Sequence, residues 1–201
     1  KIFLNPFSFD FNSTLDNVKL KNLLSNKIIF KEILSEDFAL NENFNGNLKL
    51  HIKKLDKNPL FENIKINARF VGDVLDLSKS IFSNDKIANL ILQKGSLYEE
   101  QDNLIFIGDM DFIINNPDKF YNKFVVPKKN RVNLKKINFE IMVNLTTSEV
   151  KILKIINDRY KDREFDQIDE LIYEFNSGGL NISNWIELKK FTNKIISSYS
   201  G

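Results

Sequence analysis

Residues Ile87 to Asn116 read IANLILQKGSLYEEQDNLIFIGDMDFIINN. Two apolar runs are separated by the polar stretch Tyr98 to Asn103 (YEEQDN). In the second run Leu104, Phe106, Met110, Phe112 and Ile114 recur at every other position, with Gly108 as a gap in the row. Asp109 and Asp111 fall between them. A period of two is the mark of a strand with one apolar and one wet face. The stretch therefore predicts a β-hairpin, and the neighbouring sequence predicts strands on both sides of it.

Upstream, Lys1 to Asp10 (KIFLNPFSFD) predicts a strand at a sheet edge or broken at Pro6, because proline cannot donate to a ladder. Asn12 to Asp16 reads as a turn, followed by short β-like segments at Asn17 to Leu24 and Lys27 to Leu34; the second could equally begin a short helix. Asn41 to Gly46 and Asp56 to Pro59 have turn chemistry. Between and after them, Leu48, Leu50 and Ile52 alternate with Lys49, His51 and Lys53, and Ile64, Ile66, Ala68 and Phe70 alternate with Lys65, Asn67 and Arg69. These predict an antiparallel pair. Gly72-Asp73 breaks the second strand; Leu75 and Leu77 then alternate with Asp76 and Ser78, and a further strand or an extended segment continues to Phe82.

Downstream, Asn116-Pro117 is a helix-start signal: a capping side chain followed by proline at the first helical position. A short helix over DKFYNKF ends before Pro127. Ile137, Phe139, Ile141 and Val143 alternate with Asn138, Glu140 and Met142, and Val150 to Asn157 pairs with that strand across Thr146-Thr147-Ser148. The period then changes. Phe165, Ile168, Leu171, Ile172 and Phe175 follow helical spacing, stopped by Ser177-Gly178-Gly179. A second helix spans Asn184 to Tyr199, with Asn184 and Glu187 as a capping box and an apolar stripe of Trp185, Leu188, Phe191, Ile195 and Tyr199.

Composition narrows the function classes. The net charge is +2, without the strong basic excess or stripe of a dedicated nucleic-acid binder. Lys128-Lys129-Asn130-Arg131 and Lys135-Lys136 read as solvated loops. There is no cysteine, so disulfides and thiolate metal sites are excluded. The single histidine, His51, lies on a wet strand face, too few ligands for a structural zinc site. The chain holds neither a nucleophile elbow nor a glycine-rich phosphate loop. The carboxylate pairs Glu99-Glu100, Asp109/Asp111 and Asp166/Asp169 read as exposed faces, although Asp109 and Asp111 share a strand face and could hold a cation with help from a neighbouring strand. The abundance of Lys, Asn, Ile and Phe reads as the usage of A/T-rich codons. The expectation is a non-enzyme with no cofactor and no metal.

From Phe44 onward the layout resembles the C-terminal region of bacterial AsmA-like proteins of the AsmA/TamB type. The stretches that carry it are FNGNLKLHI, KGSLYEEQDNLIFIGDMDFII, NPDKFYNKFVVPKKNRVNLKKINFEIMVNL and the last helix closing on YSG. The resemblance implies a periplasmic protein of Gram-negative bacteria, anchored in the inner membrane by a segment outside this chain. It implies a long curved sheet whose apolar face carries phospholipid acyl chains toward the outer membrane, with envelope proteins as partners and no nucleic acid. The site residues it implies are lipid-contacting: Leu104, Phe106, Met110, Phe112, Ile114, Ile137, Phe139 and Ile141. Periodicity leaves the alternative open that the same residues are core, and a β-rich structural or protein-interaction module is the second reading.

The fold expectation is mainly β with C-terminal helices: a curved antiparallel sheet, groove or partial barrel, capped by one or two amphipathic helices. We expect one domain over 1–201, β-rich to 160 and helical from 161, forming the C-terminal fragment of a longer protein with a natural C-terminus.

Overall fold

The computed structural model describes residues 2–4, 7–19, 45–56, 60–147, 149–157, 165–178 and 185–198. Expectations for Pro6, Lys27 to Leu34, residues 41–44 and 57–59, and the Asn184 cap lie outside these residues, as does the Tyr199 end of the last stripe.

The hairpin at the centre consists of β9 (Ala88–Glu100) and β10 (Asn103–Ile114). Its turn is tighter than the polar stretch suggests, because the strands pair up to Glu100 and Asn103 and leave only Gln101 and Asp102 between them. Both carry positive φ, 49° and 61°, as a two-residue turn matched to the twist of its strands requires. The pairing slips once: Lys94 lies opposite Asp109 but Leu92 opposite Met110, so Gln93 is an extra residue on β9. This bulge is why Leu90 and Leu92, then Leu97, share one face although the spacing between them is odd. A second slip puts Lys154 opposite Glu140 and Ile152 opposite Ile141, making Leu153 extra on β12 (Glu149–Asn157). The two bulges flank one cross-strand row, Lys94–Asp109–Glu140–Lys154.

The other strands are β1 (Ile2–Leu4), β2 (Phe7–Leu15), β3 (Val18–Lys19), β4 (Asn45–Ile52), β5 (Leu55–Asp56), β6 (Asn63–Val71), β7 (Val74–Asp76), β8 (Ile81–Asn84) and β11 (Lys136–Asn144). Among the described residues ten of these strands form one sheet, ordered β1-β2-β4-β6-β7-β9-β10-β11-β12, with β8 sharing the place between β6 and β9. The sheet is curved and is not a closed barrel. The chain is mainly β with C-terminal helices, as its periodicities predict.

Three local expectations are corrected. Asn12 to Asp16 is not a turn: β2 continues to Leu15, because its backbone ladders with β4 from Ser8↔Asn45 to Leu15↔Ile52. That pair is parallel, as is β3 with β5, so the parallel β2–β4 contact interrupts a sheet whose other described pairs, β1 with β2 and those from β4 onward, are antiparallel. The segment from Leu75 to Phe82 is two strands, since the Ser78 N–H donates to Asp76 Oδ1 (2.9 Å) and Lys79 takes φ of 66°. A short polar side chain that bonds the backbone two residues on makes such a turn.

Helix α1 (Pro117–Phe124) starts as its sequence predicts: Asn116 Oδ1 accepts from the Lys119 N–H at 3.0 Å. It buries Phe120, Tyr121 and Phe124. Helices α2 (Phe165–Gly178) and α3 (Trp185–Ser198) follow β12. All three pack on the end of the sheet formed by β10, β11 and β12, around Ile114, Leu134, Ile137, Ile152, Phe191 and Ile196. The side chain of Asn193 on α3 donates to the Phe124 carbonyl (2.8 Å), which ties the two helices at the C-terminus of α1.

That terminus holds an unusual residue. Val125 has φ of 58° and ψ of 42°, the left-handed region that costs a β-branched side chain about 1–2 kcal/mol. Its side chain is 67% exposed and has little packing to offset the cost. Val125→Gly is expected to stabilise the protein by about 0.5–1 kcal/mol, the relief of strain less the extra freedom of an unfolded glycine. Urea unfolding would show this as a higher midpoint at unchanged slope, and a lower midpoint would contradict it.

Candidate functional site

The apolar face of the sheet is built from cross-strand rows. One runs Phe9–Gly46–Phe70–Leu75–Leu97–Phe106–Val143–Val150 across β2, β4, β6, β7, β9, β10, β11 and β12. A second runs Ile52–Ile64–Phe82–Leu90–Phe112–Ile137. Neither row contains a charged side chain. Glycines let its large side chains lie flat. A Cβ at Gly46 would come 2.2 Å from the Phe9 ring, and one at Gly108 would come 2.7 Å from the Phe106 ring. The missing methyl is thus the seat of an aromatic ring, and Gly108 is more than a gap in the alternation.

The eight residues expected to contact lipid fall into two groups. Phe112, Ile114, Ile137, Phe139 and Ile141 belong to the cluster on which the helices pack. Phe112 stacks on Phe120 of α1 with ring centroids 5.6 Å apart. Leu104 and Phe106 belong to a second cluster with Phe9, Leu48, Ile66, Ala68, Phe70, Leu75, Leu77 and Leu97, which includes no residue of α1, α2 or α3. Met110 is half-buried, opposite Leu92 and Phe139. In the second cluster Phe70, Leu75 and Leu97 form the buried floor, whereas Phe9, Leu48, Ile66, Leu104 and Phe106 keep part of their surface accessible. The alternation placed all eight on one face; which of them lie under helices depends on where α1 packs after β10 and where the chain returns after β12.

The opposite face carries a polar cluster. Asp111, read from sequence as a wet-face residue, is only 5% exposed. Its Oδ2 accepts from Gln93 Nε2 at 2.7 Å and lies 2.8 Å from Lys136 Nζ. Its Oδ1 accepts from Asn138 Nδ2 at 3.2 Å, and the same amide donates to Asp109 Oδ1 at 2.5 Å. Burial pushes the Asp111 carboxyl up, but the hydrogen bonds from Lys136, Asn138 and Gln93 outweigh it and hold the group below the ordinary carboxylate range. Gln93 is the bulge residue, so this cluster anchors the bulge. The neighbouring strand brings the Lys136 ammonium to Asp111 and the Asn138 amide to both carboxylates. Among the described residues no three His, Asp or Glu side chains are grouped to hold a metal ion.

A third feature is an open groove of about 940 Å³ between the helices, lined by Phe124 and Val125, by Glu170, Leu171 and Glu174 of α2, and by the α3 face from Ile186 to Ser198. Ile186 is 64% exposed, and Lys194 pairs with Glu174 across the groove. In the basic loop, Arg131 folds back onto α1: its Nε donates to the Val126 carbonyl (3.1 Å), its Nη2 to Asn122 Oδ1 (2.9 Å), and its guanidinium lies 5.8 Å from the Tyr121 ring centre. Arg131 therefore braces the end of α1.

Sequence reasoning set aside asparagine as a compositional bias and so missed what these side chains do. Asn84 is buried and donates to the Leu60 carbonyl at 3.0 Å. Asn138, Asn176 and Asn193 each bridge two elements. No family model, curated protein or solved structure matches the chain. Among the described residues no helix is long and apolar enough to cross a membrane.

Proposed function

We propose that the chain binds phospholipid acyl chains along the sheet face between Phe9 and Phe106, as the C-terminal part of an AsmA-like, inner-membrane-anchored periplasmic protein of phospholipid transport and outer-membrane biogenesis. The observation that carries this reading is the uncharged row from Phe9 to Phe106, where the Phe9 ring occupies the place of a Cβ at Gly46 and the Phe106 ring that at adjacent Gly108, at the end of the sheet on which α1, α2 and α3 do not pack. A hydrocarbon chain needs no hydrogen bonds from its site. Each CH₂ removed from water is worth about 0.8 kcal/mol, so a strip of roughly ten would provide about 8 kcal/mol before ordering costs. On this reading Leu104, Phe106 and Met110 touch the ligand. Phe112, Ile114, Ile137, Phe139 and Ile141 form the helix-packed end that closes the strip. No catalytic group takes part.

The second reading, a non-catalytic protein-interaction module, is favoured by one observation: Val125 and Ile186 present apolar surface in the groove between the helices.

Purified protein, extracted with organic solvent and analysed by mass spectrometry, is expected to yield bound phospholipid. Leu104→Glu and Phe106→Glu should each cut that yield by about tenfold, because a carboxylate in an apolar strip must be desolvated. Circular dichroism should stay that of the unmodified chain, and Ile186→Glu should leave the yield unchanged. Absence of phospholipid from the unmodified protein, or equal yield from folded Leu104→Glu and Phe106→Glu, would overturn the reading.

A further inference from the structure

Among the described residues, three glycines within strands have the place of a Cβ taken by a neighbouring side chain. At Gly46 the neighbour is Phe9, at Gly95 it is Leu92, and at Gly108 it is Phe106. An added Cβ at Gly108 would lie 2.7 Å from Cζ and 2.8 Å from Cε1 of Phe106, the tip of its ring. Glycine inside a strand weakens it, because the unfolded backbone is freer and no side chain packs. Something must offset that cost. At Gly95 it is core packing, since Leu92 is only 6% exposed. At Gly46 and Gly108 it is not, since Phe9 and Phe106 both stay half-buried.

What Phe9 and Phe106 share is position. They end the uncharged stretch Phe9–Gly46–Phe70–Leu75–Leu97–Phe106, whose middle is the buried floor of Phe70, Leu75 and Leu97. Side chains of a strand stand roughly perpendicular to the sheet. A methyl at either glycine would therefore push the ring above it away from the backbone and into the strip.

We infer that Gly46 and Gly108 are positioning residues for the strip. Acting through Phe9 and Phe106, they keep both rings down against the backbone, so that a hydrocarbon chain can lie over them and over the Phe70, Leu75 and Leu97 floor. The two glycines have this role only if the strip holds an acyl chain, as proposed above.

The test compares four proteins: the unmodified chain, Gly108→Ala, Phe106→Leu, and the two changes together. Phospholipid extracted from each and measured by mass spectrometry is expected to fall by about fourfold in Gly108→Ala, the worth of roughly one CH₂ lifted off the floor. Adding Phe106→Leu removes the ring tip that the methyl displaces, and the double variant is expected to recover the yield of Phe106→Leu alone. A glycine needed only by the backbone would lose lipid equally in both backgrounds. Urea midpoints follow the ring without lipid: the drop caused by Gly108→Ala should be about twice as large in the unmodified chain as in Phe106→Leu. If the unmodified chain carries phospholipid and folded Gly108→Ala carries as much, or if the loss is the same in both backgrounds, the positioning role is overturned and the lipid reading stands. If the unmodified chain carries none while the midpoints are coupled, the glycines seat the rings but the lipid reading fails, and their role in binding is overturned with it.

Discussion

Phe120→Ala is expected to lower the free energy of unfolding by about 3–5 kcal/mol, the range for emptying a buried phenylalanine site. Phe120 is 1% exposed and sits where the sheet meets the helices. Its ring lies 5.6 Å from Phe112 on β10, 5.6 Å from Tyr121 and 4.6 Å from Phe124, centroid to centroid. Phe124 in turn packs 5.1 Å from Trp185 of α3. The backbone around the cavity is pinned, because Asn116 caps the helix and the Tyr121 hydroxyl donates to the Val132 carbonyl. The site can therefore collapse little, and the cost should fall toward the upper part of the range. Urea unfolding followed by circular dichroism measures it. Tyr173→Ala, at a position 73% exposed on α2, is the comparison and should stay within about 0.5 kcal/mol of the unmodified chain. Equal losses for the two variants would show that α1 is not the keystone of this core.

Asp111→Ala is expected to cost about 2–3 kcal/mol at neutral pH. It removes three hydrogen bonds to a carboxylate, leaving Asn138 only its bond to Asp109 and releasing the exposed Gln93 side chain from the bulge. The ion pair adds little of this, since Lys136 is 46% exposed and can return to water. The pH dependence follows from the sign of the shift. The folded-state carboxyl is held below its ordinary value by Lys136, Asn138 and Gln93 against the opposing effect of burial. Its contribution is therefore complete above the unfolded carboxylate range and is lost as pH falls through the lower folded value. The stability gap between the unmodified chain and Asp111→Ala should be full at pH 7 and should shrink below about pH 4. Urea midpoints of both proteins across that interval give the measurement. A gap that stays constant, or widens in acid, would mean that the Asp111 charge does not support the fold.

Much of the architecture was legible in residue order because it rests on local physics. Alternation over Leu104 to Ile114 forced an extended strand with an apolar face, and Asn116-Pro117 announced α1 by satisfying the first free N–H groups of the helix. The bulge at Gln93 was not read from the sequence: the slip from even to odd positions between Leu92 and Leu97 gains meaning only from the register with β10. Asn12 to Leu15 was not, because its polar residues carry turn chemistry and only the parallel ladder with β4 makes it a strand. Asp111 was misjudged for a related reason. A charged residue on an alternate position reads as solvated, and its burial depends on Lys136 and Asn138 arriving from β11 and Gln93 bulging from β9. Asn176 left no signal at all, since its partner is the backbone of Ile152, which every sequence supplies.

For the proposed site the division is sharper. A period of two states which residues share a face, because successive side chains of a strand point to opposite sides. It does not state what covers that face. That was decided when α1, between β10 and β11, and the two helices after β12 packed over Phe112, Ile114 and Ile137 but not over Leu104 and Phe106. The sequence by itself determined the strands, the hairpin and the helix starts, which depend on residues a few positions apart. Only the tertiary structure decided which apolar residues became core under the helices, which form the uncharged strip away from them, and which asparagine amides join distant elements. Those outcomes depend on groups brought together from distant parts of the chain.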